Sequence, residues 1–243
     1  MKLKQYLNEI VKFLKEYLKK SGAKGYTLGL SGGVDSALTL ALLLKAVKKE
    51  NIHVVIIPIE SNKNDEKYAI NLCKKFKIKY DLVNLTNSYH KLKDDINRVH
   101  PLNKLSESNI KVRLRMVALY AIAQKENSLV VGTDNLDERY VGYFTKFGDG
   151  AADLLPIAKL TKGEVYQASK LLGVSKEIIE RAPTAGLFVN QKDEDDLDVK
   201  YLELDKYLLG KKVSKKDEAR IKHLHQVSQH KRSAIPEPKD FKR

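Results

Sequence analysis

Ser31-Gly-Gly-Val-Asp-Ser36 places two hydroxyls, two glycines and a carboxylate within six residues. An apolar run precedes it, and Ala37-Leu-Thr-Leu-Ala-Leu-Leu-Leu-Lys45 follows at helical spacing. A strand, a glycine turn and a helix start in that order make an anion site. Glycines let the backbone approach a ligand, and the first N–H groups of the helix have no partner of their own. Asp35 would repel a phosphate unless a cation lay between them, which points to Mg²⁺. No Gly-Lys-Ser/Thr follows, so the loop is not a Walker A motif.

Further polar residues fall where such a site would need them. Glu138 could share a cation with Asp35, or be a solvated helix-start residue between Asp137 and Arg139. Lys162 stands in a helix's first turn, suited to a phosphate and equally to solvent. Thr133 and Thr184 could bond a phosphate or only close turns. Arg113 and Arg115 are two apart and cannot share a helix face, so one of them at most faces a crevice. His230-Lys231 reads by itself as a basic helix end on the dipole.

The elements that would position these residues alternate. Strands are expected at 26–30, 53–59, 79–83 and 128–132. Helices are expected at 35–49, 65–76 and 106–126, with 86–97 a helix or polar loop. This alternation predicts βαβ units and a doubly wound α/β fold, with helices on both faces of a parallel five-stranded sheet. The run His53-Val-Val-Ile-Ile-Pro-Ile59 suits a strand buried on both faces. Ligands of such sheets lie beyond the carboxyl ends of the strands, where the glycine loop, Glu60-Ser61 and Gly132-Thr133-Asp134 should converge.

Residues 142–158 lose all periodicity and read as a long functional loop. Thr161 and Glu164 form a capping box for a helix at 161–172. A short helix is expected at 175–181, an acidic mobile loop at 184–198, and helices at 199–209 and 215–230, before an extended tail. The chain reads as one domain, 1–243. An apolar-faced helix at about 3–20 could pack on the domain or on a second subunit, and a helical extension covers about 199–232.

Composition narrows the class. The hydrophobic content is 42% and the charged content 31%, as in a globular protein with a sizeable core. A single cysteine, Cys73, excludes an internal disulfide and a Cys-based cluster. No apolar run reaches the length of a membrane span, and the charged N-terminus is not a signal peptide, so a cytoplasmic location is expected. The net charge of +14 comes from 45 Lys and Arg against 31 Asp and Glu. The lysines are spread along helix faces without an RNA-binding signature, so they read as solvated faces and neither nucleic acid nor membrane is the expected partner.

The glycine loop resembles that of the N-type ATP pyrophosphatases. Further stretches resemble the short, ammonia-using NAD⁺ synthetases: Asn109-Ile-Lys-Val-Arg-Leu-Arg-Met116, Val131-Gly-Thr-Asp134, Gly142-Tyr-Phe-Thr-Lys-Phe-Gly-Asp-Gly150, Ala152-Asp-Leu-Leu-Pro156, Ala182-Pro-Thr-Ala185 and His230-Lys-Arg232. The resemblance implies ATP-driven amidation of deamido-NAD (nicotinic acid adenine dinucleotide) through an acyl adenylate, releasing AMP and pyrophosphate. It implies ATP contacts from Gly29, Leu30, Ser31, Gly32, Gly33, Val34, Asp35, Ser36, Thr133, Lys162 and Thr184. It assigns the dinucleotide to Arg113 (with Arg115 the alternative), Lys146, Asp153, His230 and Lys231. It places Mg²⁺ on Asp35 and Glu138, and catalysis on Asp35, Asp153 and Lys162. It also implies a homodimer with the dinucleotide across the subunit boundary; the helices at 3–20 and 106–126 are the expected interface. The chain has neither the length nor a suitable cysteine for the glutaminase domain of longer relatives, so free ammonia, or a separate supplier, is the expected nitrogen source. The alternative is another N-type pyrophosphatase acting on tRNA or a purine nucleotide.

Overall fold

A computed structural model of the chain describes residues 2–181, 183 and 191–239. The elements in order are α1 (Leu3–Ser21), β1 (Gly25–Gly29), α2 (Val34–Ala46), β2 (Ile52–Ile56), α3 (Lys63–Phe76), β3 (Tyr80–Leu82), α4 (Thr86–Asn97), α5 (Lys104–Glu126), β4 (Ser128–Val131), α6 (Leu136–Val141), α7 (Lys162–Leu171), α8 (Lys176–Ile179), α9 (Asp193–Leu197), α10 (Tyr201–Leu208), α11 (Lys215–Val227) and α12 (Gln229–Arg232).

The sheet runs β3-β2-β1-β4, with every pairing parallel. Leu28 of β1 stands between Val54 of β2 and Val131 of β4. The apolar run of β2 serves two cores at once. Val54 and Ile56 join the main core, while Val55, Ile57 and Ile59 join a second cluster with Tyr89 and α5 residues such as Ile110 and Leu114. Side chains alternate across a strand, so a strand apolar on both faces needs helices on both sides. On the main-core side α2 is buried nearly all round, with Leu38, Leu40, Leu42 and Leu43 fully inside. Each such leucine stabilises the fold by about 1.5–3 kcal/mol. A third cluster, Val141 with Leu197, Tyr201, Leu204 and Ile221, gives the C-terminal helices their own small core.

The expected five-stranded sheet is corrected to four strands among the described residues. The segment after Ala151 begins a fifth: Asp153 N–H donates to Val130 O and Gly132 N–H to Leu154 O. It stops at one bridge, Val131 to Leu154. Pro156 follows two residues later and has no N–H to continue a ladder.

The acidic stretch expected as loop also differs. Residues 184–190 lie outside the described residues, but Asp193–Leu197 is a short helix. Four acidic residues in its first turn suit the positive end of the dipole. Tyrosine hydroxyls hold them too: Tyr143 donates to Asp193 Oδ1 and Asp196 Oδ2, and Tyr201 to Asp193 Oδ2. The 175–181 helix is shorter than expected, ending at Ile179. Cys73 is fully buried in the main core. Burial pushes its thiol up to about 11, far from the range of a reactive cysteine.

Candidate active site

The glycine loop leaves β1 at the centre of the sheet. Leu30 N–H donates to Val55 O, so the loop starts pinned to β2. Ser31 and Ser36 then close it from inside: their hydroxyls lie 3.1 Å apart, Gly33 N–H donates to Ser31 Oγ, and Ser36 Oγ donates to Gly33 O. Gly32 is required twice over. Its φ is +82°, and a Cβ there would stand 2.3 Å from the Asp65 carbonyl oxygen. The N-cap of α2 is Gly33, with no side-chain cap. In contrast, α6 and α7 both carry complete capping boxes. The start of α2 is therefore left open to a ligand.

Facing that open end is Lys162, whose ammonium bridges Asp35 Oδ2 at 2.7 Å and Glu138 Oε1 at 3.1 Å. Three elements assemble this trio. Asp35 comes from the first turn of α2 and Glu138 from α6. Glu138 also bonds Asn135 N–H through its other oxygen, as half of the α6 capping box. Asn135 in turn donates to Asp35 Oδ1 at 2.9 Å. Lys162 opens α7; its own N–H donates to Asp137 Oδ2, and Gly163 N–H to Asp205 Oδ2. The Tyr201 ring lies under the ammonium at 4.9 Å.

Burial works against the charge of Lys162, but Asp35 and Glu138 more than offset it and hold the ammonium above its ordinary value. Burial lifts Glu138 to about 7, opposed by Lys162 and reinforced by Asp35. The buried trio is thus a cation between two carboxylates. Two hard carboxylate donors at the mouth of an open helix N-terminus are of the type that suits Mg²⁺ completed by phosphate oxygens and water, with the Lys162 ammonium, which now bridges them, giving way to the metal. The described residues hold no group of three or more His, Cys, Asp or Glu arranged as a self-sufficient metal site, so substrate would have to complete the shell.

The trio and the loop line one crevice of about 810 Å³, which continues past Thr133 to the basic C-terminal end. There Arg113 Nη2 donates to Lys146 O, Lys146 Nζ to His230 O, and Lys231 Nζ to Gly142 O and Phe144 O. Three stretches far apart in sequence therefore meet at one mouth. The alternative arginine, Arg115, also lines the crevice, but with other partners. It is half-buried, and donates to Ile57 O and Ser61 Oγ, holding the loop after β2 in place. Asp153 is not brought to this crevice. Its carboxylate accepts Val130 N–H at 2.7 Å and the Tyr120 hydroxyl, and its carbonyl accepts the Tyr17 hydroxyl. Thr184 lies outside the described residues.

Sequence reasoning attached no role to Asn135, Asp134 or Asp149. Asp134 is buried on the crevice wall with Oδ2 unpartnered, and Asp149 lines the same crevice but is exposed, with Oδ1 accepting Thr145 N–H. Burial raises the Asp134 carboxyl well above its usual range. Both lie inside quoted motifs, Gly-Thr-Asp and Gly-Asp-Gly, but a buried acid and an exposed one look alike in a sequence.

The chain matches the NAD synthase family model over residues 6–236. It is 45% identical, over the full length of both chains, to the NH(3)-dependent NAD(+) synthetase of Mesoplasma florum. Among solved structures it is similar to the NMN synthetase of Francisella tularensis, with a TM-score of 0.94, 37% identity, and 99% of this chain and all of that one covered. It is also similar to the NH3-dependent NAD synthetase of Campylobacter jejuni in complex with nitrate, with a TM-score of 0.81, 29% identity and the same coverage.

Proposed function

The chain belongs to the NAD synthase family, and from that premise we infer that this crevice makes NAD⁺ by ATP-driven amidation with ammonia. The acceptor is the pyridine carboxylate of deamido-NAD. It attacks the α-phosphorus of ATP, the bond to the β-phosphate oxygen breaks, and pyrophosphate leaves. Ammonia then adds to the acyl carbon, AMP departs with its oxygen, and an amide remains. The observation that carries this reading is the open α2 N-terminus facing the Asp35–Lys162–Glu138 trio in one crevice.

Each residue takes a physical role. Backbone N–H groups at 31–36 and the two serine hydroxyls orient the β- and γ-phosphates. Lys162, held charged, stabilises the negative charge that builds on the departing oxygens. Asp35 and Glu138 would hold Mg²⁺, which supplies Lewis-acid charge neutralisation when bound. Thr133 and Thr184 would complete the ATP contacts. Arg113, Lys146, His230 and Lys231 offer positive charge and a backbone frame to the dinucleotide at the far mouth.

A homodimer would fit the same reading. Asp153 sits beside Tyr17 of α1 and Tyr120 of α5, away from its own crevice. If α1 and α5 meet their copies about a two-fold axis, Asp153 would serve the dinucleotide from the subunit boundary. Leu105 and Val117, both more than half exposed on α5, would be covered by that pairing.

A second acceptor, nicotinic acid mononucleotide, is favoured by the structural match to an NMN synthetase. One assay separates them: protein, ATP, Mg²⁺ and ammonium with either the dinucleotide or the mononucleotide, followed by AMP and amide product. Turnover faster with the dinucleotide is expected. Faster turnover with the mononucleotide would select the second acceptor, and no AMP above the acceptor-free control would overturn both.

A further inference from the structure

Two observations place Arg181 beside the phosphate loop. Its Nη2 lies 2.7 Å from Asp65 Oδ1, and the backbone of Asp65 is packed against Gly32. Its carbonyl accepts the Tyr166 hydroxyl at 3.5 Å. Tyr166 lies four residues after Lys162 on α7, one turn away on the same face, about 5–6 Å between Cβ atoms. Arg181 is thereby suspended between the glycine loop and the Lys162 turn, on the wall of the crevice. Its guanidinium also approaches the Tyr68 ring, at 5.8 Å.

The ion pair is close, with Arg181 attracting and hydrogen-bonding the Asp65 carboxylate against the cost of its burial. A planar guanidinium fork is equally matched to the oxygens of a phosphate, so an oxyanion arriving in the crevice can compete with Asp65 for it. The charge of Arg115 also bears on Asp65, so the carboxylate keeps a positive neighbour if Arg181 moves. Meanwhile the trio around Lys162 carries one net negative charge by formal count, with its single ammonium shared between two carboxylates. A departing pyrophosphate is a polyanion, and Lys162 with one bound Mg²⁺ leaves part of its charge to other cations on the crevice wall.

We propose that Arg181 is a further phosphate-binding residue of this site, which exchanges Asp65 for oxygens of the pyrophosphate as that group leaves. Asp65 is its holder: it keeps the guanidinium at the loop and competes with the anion for it. Arg181 suits the task because its planar fork matches phosphate oxygens bidentately and is charged at every working pH. The proposal rests on the reading of 31–36 as the pyrophosphate loop.

The test measures binding of inorganic pyrophosphate, with Mg²⁺, to the full-length protein by calorimetry, and product inhibition by pyrophosphate in the steady state. Arg181→Met is expected to weaken pyrophosphate about tenfold or more, the loss expected for a charge-assisted hydrogen bond, while the KM of the pyridine acceptor stays put. Asp65→Asn removes the competitor and should bind pyrophosphate as tightly as wild type or more tightly. A merely structural pair predicts otherwise, because both substitutions would then weaken binding together. Pyrophosphate affinity of R181M within twofold of wild type, or a loss of fivefold or more in D65N, would overturn the proposal. If R181M does not fold, D65N decides alone. Wild type failing to bind pyrophosphate would instead remove the reading of the loop itself, and this proposal with it.

Discussion

At the scale of single residues, the site depends on positions where another side chain has no room. Gly32 combines a left-handed backbone with a backbone oxygen of Asp65 where a Cβ would stand. Gly32→Ala should therefore raise the KM for ATP about tenfold, since a left-handed alanine costs about 1–2 kcal/mol before the clash is relieved. Initial-rate kinetics with ATP varied would show it; an unchanged KM would mean that the loop yields without moving its N–H groups. Lys162 illustrates the reverse. Its type and helix position left solvent and phosphate equally open, and burial between Asp35 and Glu138 removes solvent as an option.

At the scale of elements, capping decides where the chemistry sits. Helices α6 and α7 are closed by Asn135 with Glu138 and by Thr161 with Glu164, while α2 is left open. Two buried acids reinforce α7. Asp137 accepts Lys162 N–H, and Asp205 accepts Gly163 N–H and the Thr161 hydroxyl, while the remaining oxygen of each is unpartnered. Burial, then the neighbouring Asp205, raises the Asp137 carboxyl to about 9. A carboxyl of raised pKa keeps in the folded state a proton that the unfolded chain releases above about pH 4. The stability that this carboxyl contributes therefore falls as pH rises from about 4 towards 9. Asp137→Asn mimics the protonated acid and escapes that loss. Its melting temperature should gain on wild type progressively between pH 6 and pH 8.5; a difference that is flat with pH would refute the raised Asp137 carboxyl. The helix at 193–197 belongs to this scale too. Its acidic run looked mobile because the tyrosines that hold it, Tyr143 and Tyr201, come from other elements.

At the scale of the molecule, the crevice mouth and the exposed face of α5 are continuous. Arg113 reaches Lys146 at the mouth, and Val117, one turn further along α5, is exposed. A second copy docked on that face would cover apolar surface and adjoin both mouths. Val117→Glu should shift the protein from dimer to monomer at micromolar concentration in sedimentation velocity, and lower kcat/KM for the dinucleotide more than for ATP. A wild type that sediments as a monomer would refute the pairing. The other apolar helix, α1, is less available than its composition suggests, because Leu7, Ile10 and Leu14 are buried in the chain's own core.

The sequence by itself determined the reaction class, the alternating α/β order and the anion loop. Those depend on local spacing: glycines that only one backbone shape requires, alternating apolar runs, and helix starts written in caps. It also held the residues of the far mouth, through motifs rather than through any local rule. Only the tertiary structure decided which partner each charge meets. It gave Arg113 and Arg115 different partners, turned Asp153 away from its own crevice, ended the sheet at four strands among the described residues, and set Arg181 on Asp65. Those outcomes depend on burial and on contacts between residues dozens to more than a hundred positions apart. A charge's energy is set by its surroundings, and the residue type does not carry that information.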